Sequence, residues 1–193
     1  MVKKINRSEI LTRRLLLREP GLKDAPVIAE LAGVFEIADT TLRIPHPYRL
    51  SDAESWIRDV RRQARAGKAM QWVIVLKNEP ALIGSVGLMG IDPEHRHGEL
   101  GYWIGKPWWK NGFATEAGKA VVKYAFEKLR LHRVHAHHFK RNAGSEKVLQ
   151  KIGMTHEGTL QEHVIRWGCY EDLEMYGMLN PSEVKRSPGL NKK

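Results

Sequence analysis

One stretch of this 193-residue chain, residues 99–116, constrains its fold more than any other part. Its sequence, ELGYWIGKPWWKNGFATE, begins with the aromatic and apolar residues of a buried strand, and Gly105 and Pro107 then indicate a loop. Gly112 opens a long helical pattern. The stretch therefore predicts a strand, a turn and the beginning of a helix.

The beginning of this helix is suited to binding an anion. The first backbone N–H groups of a helix have no partner within it and carry the positive end of its dipole. Gly112, Ala114 and Thr115 have small side chains that let a phosphate approach the backbone. The stretch is neither a Walker loop nor a dinucleotide fingerprint, because it lacks both glycine spacings. Taken alone, an ordinary helix start explains the same residues.

Turn signals and hydrophobic periodicity predict a mixed α/β order along the rest of the chain. We expect a strand over 11–19, a helix from Asp24 to Gly33, an irregular segment over 35–48, a basic helix that begins with a capping box at 51–54, a hairpin of 70–77 with 81–92, a central strand over 99–105, a helix over 112–129, a strand over 131–139, a helix from Asn142 to Gly153, and a last hairpin of 155–166 with 170–179. The length fits one domain over 11–180, with a flexible N-terminus over 1–10 and a disordered basic tail over 181–193.

The net charge of +10 permits an anionic ligand or loose contact with RNA or ribosomes. No Lys/Arg run alternates with aromatic residues, so a specific nucleic-acid reader is not expected. The sequence contains neither an apolar run long enough to span a membrane nor a signal peptide, and its single Cys169 excludes an internal disulfide framework. These features predict a cytoplasmic protein.

Two histidine pairs have a spacing that metals can use, His95 with His97 and His135 with His137. Histidines scattered over half-exposed strands and turns explain the same pattern, and we predict no metal site. Cys169 follows Gly168 at a hairpin turn, and no base can be paired with it from sequence order, so we interpret it as a turn cysteine.

In its full context, the stretch resembles the acetyl-CoA-binding core of the GNAT acetyltransferases. Their motif, [Arg/Gln]-x-x-Gly-x-[Gly/Ala], falls on residues 109–114, where Gly112 and Ala114 match and Trp109 departs from the usual residue. Gly-Tyr-Trp-Ile-Gly followed by Trp-x-x-Gly-x-Ala-Thr-Glu is similar to the RimJ/RimL subgroup, the ribosomal-protein N-terminal acetyltransferases. The resemblance extends over residues 11–179.

The resemblance implies an α/β (α+β) fold with a mostly antiparallel sheet that is splayed to hold acetyl-CoA and flanked by helices. It implies an acetyl-CoA-dependent N-acetyltransferase that acts on a protein N-terminus, such as that of a ribosomal protein, or on a small amine. A homodimer through an exposed Trp167 hairpin is a further expectation. Two alternatives from other classes stay open, a non-catalytic CoA-binding regulator and a basic RNA-associated protein.

The resemblance also assigns cofactor-binding residues. The pyrophosphate would be held at the helix start, by backbone N–H groups with help from one lysine, and these positions are Lys110, Asn111, Gly112, Phe113, Ala114 and Thr115. The thioester carbonyl would be polarised by a backbone N–H on the central strand, at Tyr102, Trp103 or Ile104. Asn142 would contact the pantetheine arm; as an alternative, it is only a helix cap.

Two residues are candidates for catalysis. Ser145 lies on an otherwise apolar helix stripe and would donate a proton or a hydrogen bond to the leaving thiolate, unless it only bonds to the local backbone. Glu99 opens the central strand and could accept the amine proton through water, or form a structural salt bridge. Glu162 is a second candidate for the base.

Overall fold

The computed structural model describes residues 9–183, which form eight strands and five α-helices within that range. In chain order the elements are β1 (Ile10–Leu11), β2 (Leu15–Arg18), α1 (Ala25–Ala32), α2 (Phe35–Asp39), α3 (Leu50–Arg65), β3 (Met70–Leu76), β4 (Leu82–Asp92), β5 (His97–Ile104), α4 (Phe113–Glu127), β6 (Arg133–Phe139), α5 (Ala143–Ile152), β7 (Thr155–Arg166) and β8 (Cys169–Leu179). Single 3₁₀ turns, Leu22–Asp24 and Lys106–Trp108, precede α1 and follow β5.

One sheet joins all eight strands in the order β1-β2-β3-β4-β5-β6-β8-β7. Every neighbouring pair is antiparallel except β5 with β6, which is parallel. This arrangement confirms the predicted mixed α/β class with a mostly antiparallel sheet.

The helices cover both faces of the sheet because the inner strands alternate apolar side chains between two cores. On β3, Trp72 and Ile74 pack toward α4 and α5, whereas Val73 and Val75 pack toward α1 and α3. Of the predicted stripe, α4 buries Ala117, Val121, Val122, Ala125 and Phe126, whereas Leu129 follows the end of the helix and is only partly buried. Val134, Ala136 and His138 of β6 are buried, as their shared face predicted.

Three local predictions were wrong. The strand expected over 11–19 is two short strands, because the chain turns at Thr12, whose Oγ1 bonds to the backbone of Leu15. The segment 35–48 contains the helix α2. The helix α3 begins one residue before the predicted capping box, because the Asp52 carboxylate accepts the N–H of Arg49 at 2.7 Å.

The ends of the chain lie largely outside the described residues. The tail predicted over 181–193 is described only to Glu183, where a turn forms, and its remainder lies beyond that limit, as do residues 1–8. Glu183 forms an ion pair with Arg96 at 2.6 Å. Within residues 9–183, no helix combines the length and apolar character needed to cross a membrane.

Candidate active site

The sheet opens between β5 and β6. Their parallel pairing covers only His97 to Glu99 of β5, with Glu99 opposite His135. Beyond Glu99, β5 continues along β4 as far as Ile104, and β6 continues along β8 as far as Phe139. The two strands therefore diverge, and each leads into a helix, α4 after β5 and α5 after β6. Both helix N-termini follow the diverging ends of these strands.

The turn before α4 exposes backbone donors at the helix start. Gly112 is the N-cap residue in the left-handed conformation, with φ 77°, and Lys110 also has a positive φ of 63°. The Asn111 side chain donates to the carbonyl of Trp109 at 3.1 Å, and the Trp109 indole donates to the carbonyl of Ile104 at 2.5 Å. With a glycine as N-cap, no side chain covers the first-turn N–H groups of Phe113, Ala114 and Thr115.

Arg14 adds a cation to this helix start, and sequence analysis missed it. Its Nη2 lies 3.6 Å from the position that a Cβ on Gly112 would occupy, and its guanidinium stacks over the Phe113 ring at 4.4 Å. Glu116 holds it there through a 2.7 Å bond from Arg14 Nε. The two residues are 102 positions apart, so no local pattern could have indicated the contact.

The Glu116 carboxylate in turn is well supplied with donors. It accepts the backbone N–H of Arg14 at 2.8 Å and the Thr12 hydroxyl at 2.7 Å. Burial alone would raise the pKa of Glu116, but these hydrogen bonds lower it, so the group stays ionised. An ionised Glu116 fixes Arg14 beside the N-terminus of α4.

Asn142 and Ser145 begin α5 on the other side of the opening. The Asn142 Oδ1 accepts the backbone N–H of Ser145 at 3.0 Å, which confirms that Asn142 caps the helix. The Ser145 hydroxyl lies 2.7 Å from the phenol of Tyr102 on β5. Burial raises the pKa of Tyr102, so its phenol stays protonated. The Tyr102–Ser145 contact thus joins the two diverging sides of the sheet.

The other two central-strand positions contribute differently. Trp103 packs toward α1 and α3 on the opposite face from Tyr102, and Ile104 is buried in the α4 core. Their side chains are occupied by packing, so only their backbone groups can serve a ligand.

Glu99 faces away from Ser145. It is three positions from Tyr102 on the same strand, which places the two side chains on opposite faces of the sheet. Its carboxylate is 20% exposed and lies 3.7 Å from Nη2 of Arg43 and 3.8 Å from Nδ1 of His137. The two predicted catalytic groups therefore approach the opening from opposite faces of β5.

A set of side-chain contacts, here called the hairpin brace, ties the β7–β8 hairpin and the start of α5 to the segment 38–44. Arg166 donates to the carbonyls of Ala38, Leu42 and Ile44, with the bond to Ile44 at 2.7 Å. Arg141 pairs with Asp39 at 2.7 Å and lowers its pKa. The hairpin brace holds the segment 38–44, which includes Arg43, the partner of Glu99. It therefore shapes the Glu99 side of the opening.

Trp167 also belongs to the hairpin brace. Its ring stacks on Phe35 with centroids 5.5 Å apart, and its indole donates to Asp39 at 3.0 Å. Trp167 is still 46% exposed with these contacts in place. The dimer contact through this hairpin stays a prediction.

Among the remaining candidates, His135 lies opposite Glu99 in the parallel pairing, whereas Glu162 and Cys169 lie on the last hairpin. Glu162 lies at an irregularity of β7, where its N–H donates to Asp172 at 2.9 Å. Cys169 is exposed at the hairpin turn. His97 packs edge-on against His135 at 5.6 Å, and residues 9–183 contain no group of three or more His, Cys, Asp or Glu side chains arranged to hold a metal ion.

Comparison with known proteins yields a consistent family. Residues 14–155 match the family profile described as acetyltransferase (GNAT) domain. An uncharacterized N-acetyltransferase, YoaA of Bacillus subtilis (strain 168), is 30% identical over 89% of this chain and 97% of its own length. The [ribosomal protein uS5]-alanine N-acetyltransferase of Escherichia coli (strain K12) is 25% identical over 61% of each chain.

Solved structures agree with the fold. A crystal structure of a probable acetyltransferase superposes with a TM-score of 0.83 at 26% identity, over 92% of this chain and 99% of that one. RimL, a ribosomal L7/L12 α-N-protein acetyltransferase in complex with coenzyme A, gives a TM-score of 0.82 at 18% identity, over 89% and 98% of the two chains. At 18% identity the second likeness concerns the fold alone.

Proposed function

This chain belongs to the GNAT family of acetyltransferases, and we propose that it acetylates the α-amine of a protein N-terminus. It is an N-acetyltransferase, and its acetyl donor is acetyl-CoA. The acceptor is the part we propose. The relative from Escherichia coli is named for acetylation of ribosomal protein uS5, which supports a protein N-terminus as the acceptor.

The observation that carries the proposal is the divergence of β5 and β6 beyond Glu99, with two helix N-termini after the diverging ends. The residues at these N-termini fit acetyl-CoA. The positive φ of Gly112 leaves backbone N–H groups uncovered, and Arg14 adds a guanidinium for phosphate oxygens. We propose that Lys110 and the N–H groups of 111–115 bind the pyrophosphate.

Other residues would orient the rest of the cofactor, which supplies a thioester carbonyl that an amine can attack. The Asn142 side chain caps α5 and also donates to the carbonyl of Thr40 at 3.4 Å. Asn142 would therefore serve the pantetheine arm by positioning the start of α5. A backbone N–H of 102–104 would polarise the carbonyl. The Ser145 hydroxyl, fixed by Tyr102, would hydrogen-bond to the leaving thiolate.

Glu99 would serve the acceptor rather than the cofactor. Its carboxylate lies on the face of β5 opposite the Tyr102–Ser145 contact, beside Arg43 and His137. An amine that enters from this face meets the thioester through the opening between the strands. This arrangement supports direct attack of the amine on the thioester, without a covalent enzyme intermediate.

The test measures acetyl-CoA binding by calorimetry and then thiol release with a panel of peptide N-termini and polyamines. We expect acetyl-CoA binding, and release with peptides at a higher kcat/KM than with polyamines. Faster release with polyamines would assign a small-amine acceptor instead. Binding without release on any amine would favour a CoA-binding regulator, and RNA binding with a steep salt dependence but no CoA binding would favour the RNA-associated alternative.

A further inference from the structure

His137 lies at the point where β5 and β6 separate. The last paired residues are Glu99 and His135. His137 lies two positions further along β6, so it is the first side chain on that face beyond the pairing. Its side chain is 21% exposed, which leaves it accessible to an acceptor that approaches Glu99. In the sequence, His135 and His137 have a spacing that metals can use. In the structure, the His137 ring lies beside the Glu99 carboxylate.

The ring of His137 has no evident role in the fold. Within residues 9–183 its one polar contact is with Glu99, whose Oε1 lies 3.8 Å from His137 Nδ1. The adjacent His138 differs, because it is buried against Tyr176 and its Nδ1 bonds to the carbonyl of Phe139 at 2.8 Å. His138 is therefore structural, and His137 is free to act on a ligand.

The surroundings keep the His137 ring neutral near pH 7. Burial is the largest influence and lowers the pKa of His137, which the Glu99 carboxylate of β5 partly opposes. Positive charge on Arg43 before α3, on His138 of β6 and on His163 of β7 lowers the pKa further. With Glu99 beside Nδ1, the proton of the neutral ring is best placed on Nδ1, which leaves the lone pair on Nε2.

An acceptor α-amine needs a base. Its pKa is about 7.7–8.0, so most of it is protonated at pH 7 and cannot attack a thioester. We propose that His137 accepts the proton of the acceptor amine and that Glu99 orients its ring, an inference that rests on the function proposed above. Glu99 then orients His137, the base, as a third group orients the general base in other enzymes. The 3.8 Å separation is longer than a hydrogen bond, and such contacts shorten when substrate binds.

In the proposed reaction, each proton has a defined donor and acceptor. His137 Nε2 takes one proton from R–NH₃⁺, so an N–H bond breaks at the amine and forms at the imidazole, whose charge Glu99 compensates. The freed lone pair attacks the thioester carbon and the C–S bond breaks. The second amine proton reaches the departing thiolate through water beside Ser145. The imidazolium then returns its proton to solvent.

The test compares kcat/KM for a reactive peptide between pH 6 and pH 10 in the wild type and in His137→Gln. We expect a loss of about 100-fold at pH 7, in the range of general-base catalysis, that shrinks above about pH 8 as the amine deprotonates by itself. An acceptor that is already neutral at pH 7, such as hydroxylamine, should be acetylated almost equally by both proteins. Acetyl-CoA affinity and melting temperature should not change.

His135→Gln is the matched control, because His135 is on the same strand and face and also lies beside Glu99, but it is within the β5–β6 pairing and its ring packs against His97. It should retain wild-type kcat/KM at every pH. A second readout is independent of turnover: the NMR titration of the His137 ring should move to lower pH in Glu99→Gln, since the carboxylate that favours the charged ring is lost.

A loss in His137→Gln that is equal at all pH values and for both acceptors would overturn the proposal, as would no loss at all. An unchanged His137 titration in Glu99→Gln would remove the role of the carboxylate. The proposed function fails differently, by the wild type binding acetyl-CoA and releasing no thiol with any amine.

Discussion

The two sides of the opening between β5 and β6 are built from the chain in opposite ways. The turn before α4 is one continuous segment whose proposed ligand groups are backbone N–H groups, which have no side-chain cap because the N-cap residue is Gly112. The hairpin brace joins Arg166 to the carbonyls of 38–44 and Arg141 to Asp39, 102 positions away. A backbone site needs only a local conformation, whereas a side-chain site needs the whole fold to be in place.

Substitutions on the two sides of the opening should therefore have different effects. Changes at the turn should alter cofactor affinity, because we propose that the cofactor binds the backbone N–H groups there. Changes at the hairpin brace should alter acceptor parameters and stability, because the brace holds the segment 38–44 beside Glu99.

Gly112→Val should weaken coenzyme A binding about 100-fold by calorimetry. A left-handed conformation costs a branched residue about 1–2 kcal/mol, and the new Cβ would lie 3.6 Å from Arg14 Nη2 and intrude among the phosphate-binding groups. Gly67→Val is the control, because Gly67 also has a positive φ, 71°, with no atom near its Cβ position. Gly67→Val should lose similar stability and keep its CoA affinity; unchanged affinity in Gly112→Val would refute the site.

Ser145→Ala should reduce kcat about 30-fold, below the usual range of about 10²–10⁴ for proton-transfer groups because a hydroxyl only donates a hydrogen bond here, and leave CoA affinity nearly intact. The hydroxyl near the leaving thiolate is lost, while the helix cap from Asn142 remains because it uses the backbone of residue 145. Tyr102→Phe removes the partner of the hydroxyl but retains Ser145, so its effect should be smaller. Loss of stability with normal kcat would assign Ser145 a structural role only.

Arg166→Met should raise the acceptor KM about tenfold and lower the free energy of unfolding by about 2 kcal/mol, because hydrogen bonds from a charged donor contribute roughly 1.5–3 kcal/mol. The carbonyls of Ala38, Leu42 and Ile44 would lose their donor. Arg58→Met is the control, since Arg58 is exposed and, among residues 9–183, pairs only with Glu54 of its own helix. A change in CoA affinity equal to that in acceptor KM would break the separation of the two sides.

Stability should decline modestly as pH falls below about 6.5. Burial lowers the pKa of His135 and His137 below their ordinary value of 6.5, so the unfolded chain takes up protons that the folded one refuses. Their contribution is complete above pH 6.5 and is lost as pH falls through the folded pKa values. Chemical denaturation between pH 7.5 and 5.5 should show a shallower decline in His135→Gln. An equal decline in both proteins would assign the dependence to other groups.

The sequence predicted those parts of the site that lie within one segment. The Gly112 turn and the Asn142 cap were found because each combines a residue type and a spacing that only a few local conformations satisfy. The wrong predictions concern the turn at Thr12, the short helix α2 and the first residue of α3, and a single side-chain bond sets the first and the last of these.

The sequence by itself determined the mixed α/β order, the glycine turn that begins α4 and the family, because these depend on neighbouring residues. Only the tertiary structure decided that Arg14 reaches the start of α4, that Tyr102 meets Ser145, and that His137 lies beside Glu99. The first two contacts depend on how a helix start packs against the sheet, and the third joins two strands through their register. Register depends on the packing of the entire sheet, and no local pattern of residues specifies it.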